Sequence, residues 1–317
     1  MIKQMIILPS KLQGEALSRA ALVSALAPAL LLTACSQHDE DSASQALARM
    51  QNSAPTAGLA TSILNAGIMT ELGQTGEGVT APPKFLFDPL YDDHFGSLEQ
   101  LTEPLIEAIV TGQPPYDGVT AVFVSHAHGD HFSASQLTRM LAEQPDLVMV
   151  APLQAIERMQ AEPAWRSEFA VRTRPIRLAN GEQSESFEIA GAVIEAFRSP
   201  HNGWPESHSN VHNITYRVSA PLADGLVGRV MHLGDADPDV VHYQPHAAFL
   251  SSARTGLVMV PYWFYTEEDL DGLIADTLNA ELPVAMHVPV RVPGYLSSGD
   301  LPYFSDLGEQ LPIPPSE

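Results

Sequence analysis

From Val119 to Val124 the chain is apolar at every position but Thr120, a short β-branched run that predicts a buried strand. The run stops at Ser125. Ser133 then supplies a helix N-cap, with Gln136 at the third position of a capping box and Leu137, Met140 and Leu141 on the inward face. Upstream, Ala60–Leu72 and Lys84–Phe87 carry apolar and β-branched residues and predict the opening strands. Between them and the central strand, Leu101–Val110 has helical spacing. Pro104 lies in its first turn, Leu105, Ile106, Ile109 and Val110 form one stripe, and Gly112 ends it. Downstream come a strand at Leu147–Ala151, a helix from Pro152, and strands at Ile176–Leu178 and Ser186–Phe197 around an Asn180-Gly181 turn. A strand ending in Gly234-Asp235 and another at Leu257–Val260 follow. Thr266 caps a helix that turns Leu270, Leu273, Ile274 and Leu278 inward, and Pro283–Val288 forms a last short strand. Strands and helices alternate without any repeat, which predicts an α/β fold.

The polar residues that interrupt this pattern are chemically selective. His126, His128, Asp130 and His131 follow the central strand almost without a gap. In an extended segment His126 and His128 leave the same face of the backbone and can grip one cation, while Asp130 and His131 turn toward a second. His-x-His-x-Asp-His after a buried strand resembles the signature of the metallo-β-lactamase superfamily, and the resemblance extends over roughly residues 57–300. It implies a four-layer αββα sandwich with metals at the edge between two sheets. It also implies three further ligands: a His, an Asp and a final His.

For the first of these, His201, His208 and His212 compete within Ser199–Asn213. His201 directly follows a strand, and its longer spacing to Asp235 resembles the L-ascorbate-6-phosphate lactonase branch. His212 has the shorter, glyoxalase II-like spacing. His201 is preferred, which leaves His208 and His212 for the substrate pocket or for plain loop structure. Asp235 matches the aspartate shared by both metals, and His287 matches the last ligand. Asp88, at a strand end before Pro89, matches a position that orients the metal loop. Tyr262 and Trp263 are candidates for the pocket or for buried aromatic packing, and Arg291 is a candidate for the pocket suited to an anionic group. His232 is expected in the core. Asp237 is a further candidate to touch the site, and Asp92, Asp93 and His94 are expected in a solvated turn.

Composition narrows the partners. A net charge of −22 over 317 residues excludes a nucleic-acid surface, which needs clustered Lys and Arg. Cys35 is the only cysteine, so no internal disulfide can form. Lys3, Lys11 and Arg19 precede an apolar segment, Ala20 to Ala34, that is shorter than the ~20 residues of a membrane span and broken by Pro28. Its end, Leu32-Thr33-Ala34-Cys35, resembles a bacterial lipobox. That implies residues 1–34 as a signal peptide, a lipid on Cys35, and an envelope location at the periplasmic face of the outer membrane. Residues 35–56, with His38 among acidic neighbours, then form a flexible tether. Residues 57–310 form the hydrolase domain, and the Pro-rich residues 311–317 a disordered tail.

The resemblance implies a binuclear metal-dependent hydrolase. One divalent ion takes His126, His128 and His201; the other takes Asp130, His131 and His287; Asp235 is shared. A water bridging the two ions would attack an ester, lactone, amide or phosphodiester bond of a small molecule, with Asp130 and Asp235 as the catalytic carboxylates. The ligand set suits Zn²⁺, with Mn²⁺ or Fe as alternatives. The rivals are a metal-binding lipoprotein without turnover, a redox protein on iron, and a β-lactamase-type hydrolase.

Overall fold

A computed structural model describes residues 56–73, 82–222 and 225–316. The segments read as signal peptide, lipid-bearing Cys35 and tether lie outside these residues, apart from Thr56 at the tether's end. The fold is two mixed sheets with helices outside them. The first sheet contains β1 (Gly58–Leu64), β2 (Gly67–Leu72), β3 (Lys84–Phe87), β4 (Val119–Phe123), β5 (Val148–Pro152) and β6 (Thr173–Ile176) in chain order. The second runs β7 (Glu185–Ile189), β8 (Ala192–Arg198), β9 (Ile214–Pro221), β10 (Val227–His232), β11 (Thr255–Pro261) and β12 (Ala280–Met286), again in order. Strands β3 to β6 are parallel to one another, as are β10 to β12, and the remaining pairs among these strands are antiparallel.

The alternation of side chains on β4 explains the layering. Ala121 and Phe123 point into the core between the sheets, with Phe87, Tyr216, Val230 and Met259. Val119, Val122 and Val124 point the other way, onto helices α1 (Glu103–Thr111), α2 (Ala134–Glu143) and α3 (Leu153–Gln160). The outer face of the second sheet is covered through Met231, Val258, Leu250 and Phe264, where α4 (Ala247–Ser251) packs. A strand buried on both faces cannot alternate polar and apolar residues, hence the continuous apolar run. The helix starts also hold. Ser133 Oγ accepts from the Gln136 backbone N–H at 3.3 Å, and Gly112 ends α1 at φ 67°. The reciprocal half of the capping box is missing, because Gln136 Oε1 accepts from Arg139 instead.

Several expectations need correction. Ala60–Leu72 lies within a hairpin of two strands, turned at Leu64 and Asn65 with φ of 95° and 54°. Asn180-Gly181 does not join neighbouring strands; it lies on the crossover between the sheets. The hairpin turn is Ala190-Gly191 between β7 and β8, both at positive φ. The expected strand at 176–178 is β6, ending at Ile176. Thr266 caps no helix, since its hydroxyl donates back to the Trp263 carbonyl at 2.7 Å and closes a 3₁₀ turn, Tyr262–Thr266. A wider π turn, Gly272–Thr277, follows; Leu273, Ile274 and Leu278 are nonetheless buried as expected.

The largest correction is at the C-terminus. Residues 311–316 are no loose tail. Here β13 (Gln310–Ile313) extends the first sheet by pairing antiparallel with β1, and β14 (Pro315–Ser316) pairs with the start of β10 in the second. Leu311 and Ile313 sit in the core between the sheets. Proline lacks an N–H and is tolerated on an edge strand, where that donor would face outward. The close approach is visible at Gly256 on β11, where a Cβ would lie 2.0 Å from the Pro314 carbonyl oxygen.

Candidate metal centre

Each residue of the two donor groups, and Asp88 behind them, follows the C-terminal end of a strand. Asp88 follows β3, the His126–His131 loop follows β4, His201 follows β8, Asp235 follows β10 and His287 follows β12. Those strands run the same way within each sheet, so their ends share one edge of the sandwich. There the side chains form two groups, His126 with His128 and His201, and Asp130 with His131, Asp235 and His287. Within each group the facing donor atoms all lie within 4.8 Å of one another.

In the first group, His126 Nε2 and His128 Nδ1 are 3.1 Å apart, and the His201 ring packs edge-on against both. The His201 Nδ1–H donates to the Asn202 carbonyl at 2.8 Å, which turns Nε2 inward. Burial lowers the pKa of His126 far below the ordinary imidazole value, and the charge of His131 adds to this. Burial, with His201 second, brings His128 down to about 4. Burial also lowers His201, against the pull of Asp235. All three are therefore neutral near pH 7, the form that ligates a cation.

The second group is charged and braced. Burial opposes ionisation of Asp235 and Asp130, but His131 and His287 overcome it; Asp235 falls well below the usual carboxylate range and Asp130 falls too. Burial opposes protonation of His131, yet Asp235 and Asp88 hold its pKa well above the ordinary value. Asp88 accepts from the Ser125 N–H at 2.7 Å, the Ser125 hydroxyl at 2.5 Å and His131 Nδ1 at 2.8 Å, so it ties the Ser125–His131 region to the end of β3. His287 Nε2 lies 3.0 Å from Asp130 Oδ2 and 3.6 Å from Asp235 Oδ2.

The donor set fits divalent metal ions. His201 Nε2, His131 Nε2, Asp235 Oδ1 and Asp130 Oδ1 are buried without a hydrogen-bond partner. His131 Nε2 and Asp235 Oδ1 are only 3.0 Å apart, close enough for a hydrogen bond, but the two are not aligned as donor and acceptor. Buried polar atoms that face one another and bond to nothing carry a desolvation cost of roughly 1–3 kcal/mol each. A cation between them removes it.

Two asparagines, given no role by sequence reasoning, tie this site together. The Asn65 side chain donates to the Asp130 carbonyl at 2.5 Å, and its own carbonyl accepts from the His287 N–H at 3.0 Å. Asn213 Oδ1 accepts from the Asp235 N–H at 3.0 Å, while its Nδ2 donates to Ser199 and to the Leu233 carbonyl. Gly234 makes this possible: at φ 57°, a Cβ there would stand 2.3 Å from Asn213 Oδ1. The sequence signal for Asn65 was its place in a hairpin turn; Asn213 offered none beyond lying in the histidine-rich stretch.

The remaining candidates separate clearly. The His208 ring lies 4.4 Å from that of His201, at the rim. His212 belongs to neither donor group; its backbone N–H donates to Gln154. Trp263 lies edge-on to His287 at 5.5 Å between ring centres and donates to the Ala236 carbonyl. Tyr262 packs on Trp263. Arg291 is exposed and makes no ion pair among the described residues. His232 is a core residue, stacked on Phe87 and bonded to the Ala66 carbonyl. Asp237 bonds its own turn, and Asp92 and Asp93 are exposed, though their N–H groups latch onto the Gly129 carbonyl.

Residues 84–292 match the family model of the β-lactamase superfamily domain. The chain belongs to that family. Its fold is similar to that of a metallo hydrolase from the hyperthermophilic archaeon Ignicoccus hospitalis. The two are 12% identical with a TM-score of 0.50, over 80% of this chain and 97% of the other. An isothiocyanate hydrolase from Delia radicum gut bacteria aligns at 15% identity and a TM-score of 0.47, over 82% of this chain and 100% of that one. A diiron β-hydroxylase from Streptomyces venezuelae aligns at 10% and 0.49, over 83% of this chain and 55% of the other. No curated protein matches the chain. Family membership and the two donor groups together support metal-dependent hydrolysis.

Proposed function

We propose that the chain is a hydrolase built around two divalent cations, one held by His126, His128 and His201, the other by Asp130, His131 and His287, with Asp235 offering one oxygen to each. The observation that carries this reading is the pair of donor groups in which His201 Nε2, His131 Nε2, Asp235 Oδ1 and Asp130 Oδ1 are buried without a hydrogen-bond partner. When bound, such ions lower the pKa of a water between them and polarise a carbonyl or phosphoryl oxygen. Asp130 is held ionised and keeps Oδ1 free to accept a proton from the attacking water. Trp263 walls the His287 side. The substrate is a small molecule with an ester, lactone, amide or phosphodiester bond. Histidine-rich mixed ligation favours Zn²⁺.

Elemental analysis of the purified domain after zinc supplementation is expected to find close to two ions per chain, and a panel of the four bond types to find turnover. A single ion or none overturns the binuclear assignment. Two ions without any cleavage would mean a metal-binding protein. Lipid attachment at Cys35 is a separate proposal, resting on Leu32-Thr33-Ala34-Cys35 alone. Cys35→Ser is expected to leave the protein unanchored in a fractionation, and a wild-type chain recovered soluble and lipid-free would refute it.

A further inference from the structure

A groove of about 480 Å³ adjoins the first histidine group, lined by Ala127, His128, Gln154, Glu157, Arg158 and Asn210, among others. It arises from the register of α3. Ala155, Ile156 and Met159 are buried in the core under the helices, which turns Gln154, Glu157 and Arg158 to the groove with Ala161 one turn on. Gln154 bridges to the facing wall, donating to the Asn210 carbonyl at 2.8 Å and accepting from the His212 N–H at 3.0 Å. The Arg158 guanidinium lies over the Phe132 ring at 5.1 Å and donates to the Ala127 carbonyl in the metal loop. That bond uses one of its five N–H donors, and among the described residues no carboxylate pairs with it. Behind the same wall stands Arg198, 8% exposed, which donates to the Val211 carbonyl, has a buried unpartnered Nε and makes no ion pair among the described residues.

We propose that this groove is the substrate subsite, and that Arg158 takes an anionic group, a carboxylate or a phosphate, on the part of the substrate that does not react. The assignment rests on the proposed hydrolase only in placing the scissile bond at the metal site; the groove itself needs no cation. His128 is the shared boundary: its Nδ1 faces the donor group, and the residue also lines the groove. A substrate with its reacting bond at the metals and its body past His128 brings the distal end to Arg158. Glu157 tunes this, since its carboxylate opposes a second negative charge. Arg158 thereby takes the role that sequence reasoning gave to Arg291.

Calorimetric titration tests the proposal, using hexanoate, butyl phosphate and neutral hexanamide on both metal-loaded and metal-free protein. Hexanoate or butyl phosphate is expected to bind at least about tenfold more tightly than hexanamide, as a charge-assisted guanidinium contact allows. Which of the two prefers the groove identifies the anionic group. Arg158→Gln is expected to erase the preference, Arg158→Lys to keep part of it, and Glu157→Gln to raise it. Each should persist without metal. If Arg158→Gln binds both anions as the wild type does, or if neither anion outbinds hexanamide in metal-free protein, the subsite is elsewhere. Failure of the hydrolase reading registers separately, in metal content and turnover, and leaves these titrations unchanged.

Discussion

The two halves of the metal centre are built differently. The trihistidine half has neutral ligands, few braces and an open side: His128 is half-exposed and borders the groove. The carboxylate half is charged and locked from behind, with Asp88 on His131, Asn65 on Asp130 and His287, and Asn213 on Asp235. In the first half the ligands are placed by burial, which keeps their rings neutral. In the second they are placed by hydrogen bonds to groups that are themselves buried. One half is a braced anchor, and the other is open to the groove.

The most severe way to break this contrast is Asp88→Ala. It leaves the buried His131 and the Ser125 N–H without their acceptor, a loss on the order of 3–5 kcal/mol. Urea unfolding is expected to show that loss and elemental analysis an emptied carboxylate half, with Asp88→Asn milder because it keeps the shape. An Asp88→Ala protein of wild-type stability and metal content would mean that the bracing is not what positions His131.

His201→Ala removes a ligand from the open half. Metal affinity there is expected to fall by more than the ~10–100-fold typical of outer partners, and turnover with it. His212→Ala is expected to leave metal content near wild type and to change substrate affinity or rate. The reverse result would transfer the ligand role to His212 and undo the division drawn here.

Asn65→Ala sharpens the comparison from the locked side. It should weaken metal binding in the carboxylate half by ~10-fold and cost about 1 kcal/mol of stability, while occupancy of the trihistidine half stays unchanged. Equal loss from both halves would show that they are one unit.

The smallest effect is in pH. Burial holds His128 at about 4 in the folded chain, against an ordinary value near 6.5 in the unfolded one. Between those values the unfolded chain takes the proton and the folded chain does not, so His128 reduces metal-free stability as pH falls from about 6.5 to about 4. His131, whose folded value is raised, acts in the opposite sense: its contribution is full below the unfolded value and fades as pH rises through the folded one. Metal-free His128→Gln should therefore retain more of its stability than the wild type between pH 6.5 and 4 in urea melts. Identical acid slopes would contradict the neutral, burial-set state of this half.

Much of this site was legible from residues alone. The strand-to-loop break at Ser125 and the ligand run after it announced themselves because metal ligands cannot be hidden among apolar neighbours. The strand-end positions of Asp88 and Asp235 were equally plain, and His287 fell one residue past the end of β12, at φ 61°. Asn65, Asn213 and Arg158 were not legible as site residues. Asparagines in turns and an arginine on an exposed helix face are ordinary, and only the partner brought up from elsewhere in the chain makes them matter. The C-terminal strands were invisible for a related reason: four prolines after Leu301 masked an edge pairing that proline permits.

The sequence by itself determined the layers and the candidate ligands, because a strand buried on both faces must be continuously apolar and a cation demands particular donor atoms. Tertiary structure decided what depends on distance through space. It brought His201 rather than His212 into a donor group, gave Arg158 rather than Arg291 a place beside the His126–His131 loop, and turned the expected tail into an edge strand. The physical reason is shared: β13 and β1 lie at opposite ends of the chain, and the hydrogen bond between Asn65 and Asp130 spans a hairpin turn and a metal loop. Such contacts are fixed by how sheets stack, and no local pattern of residues encodes that.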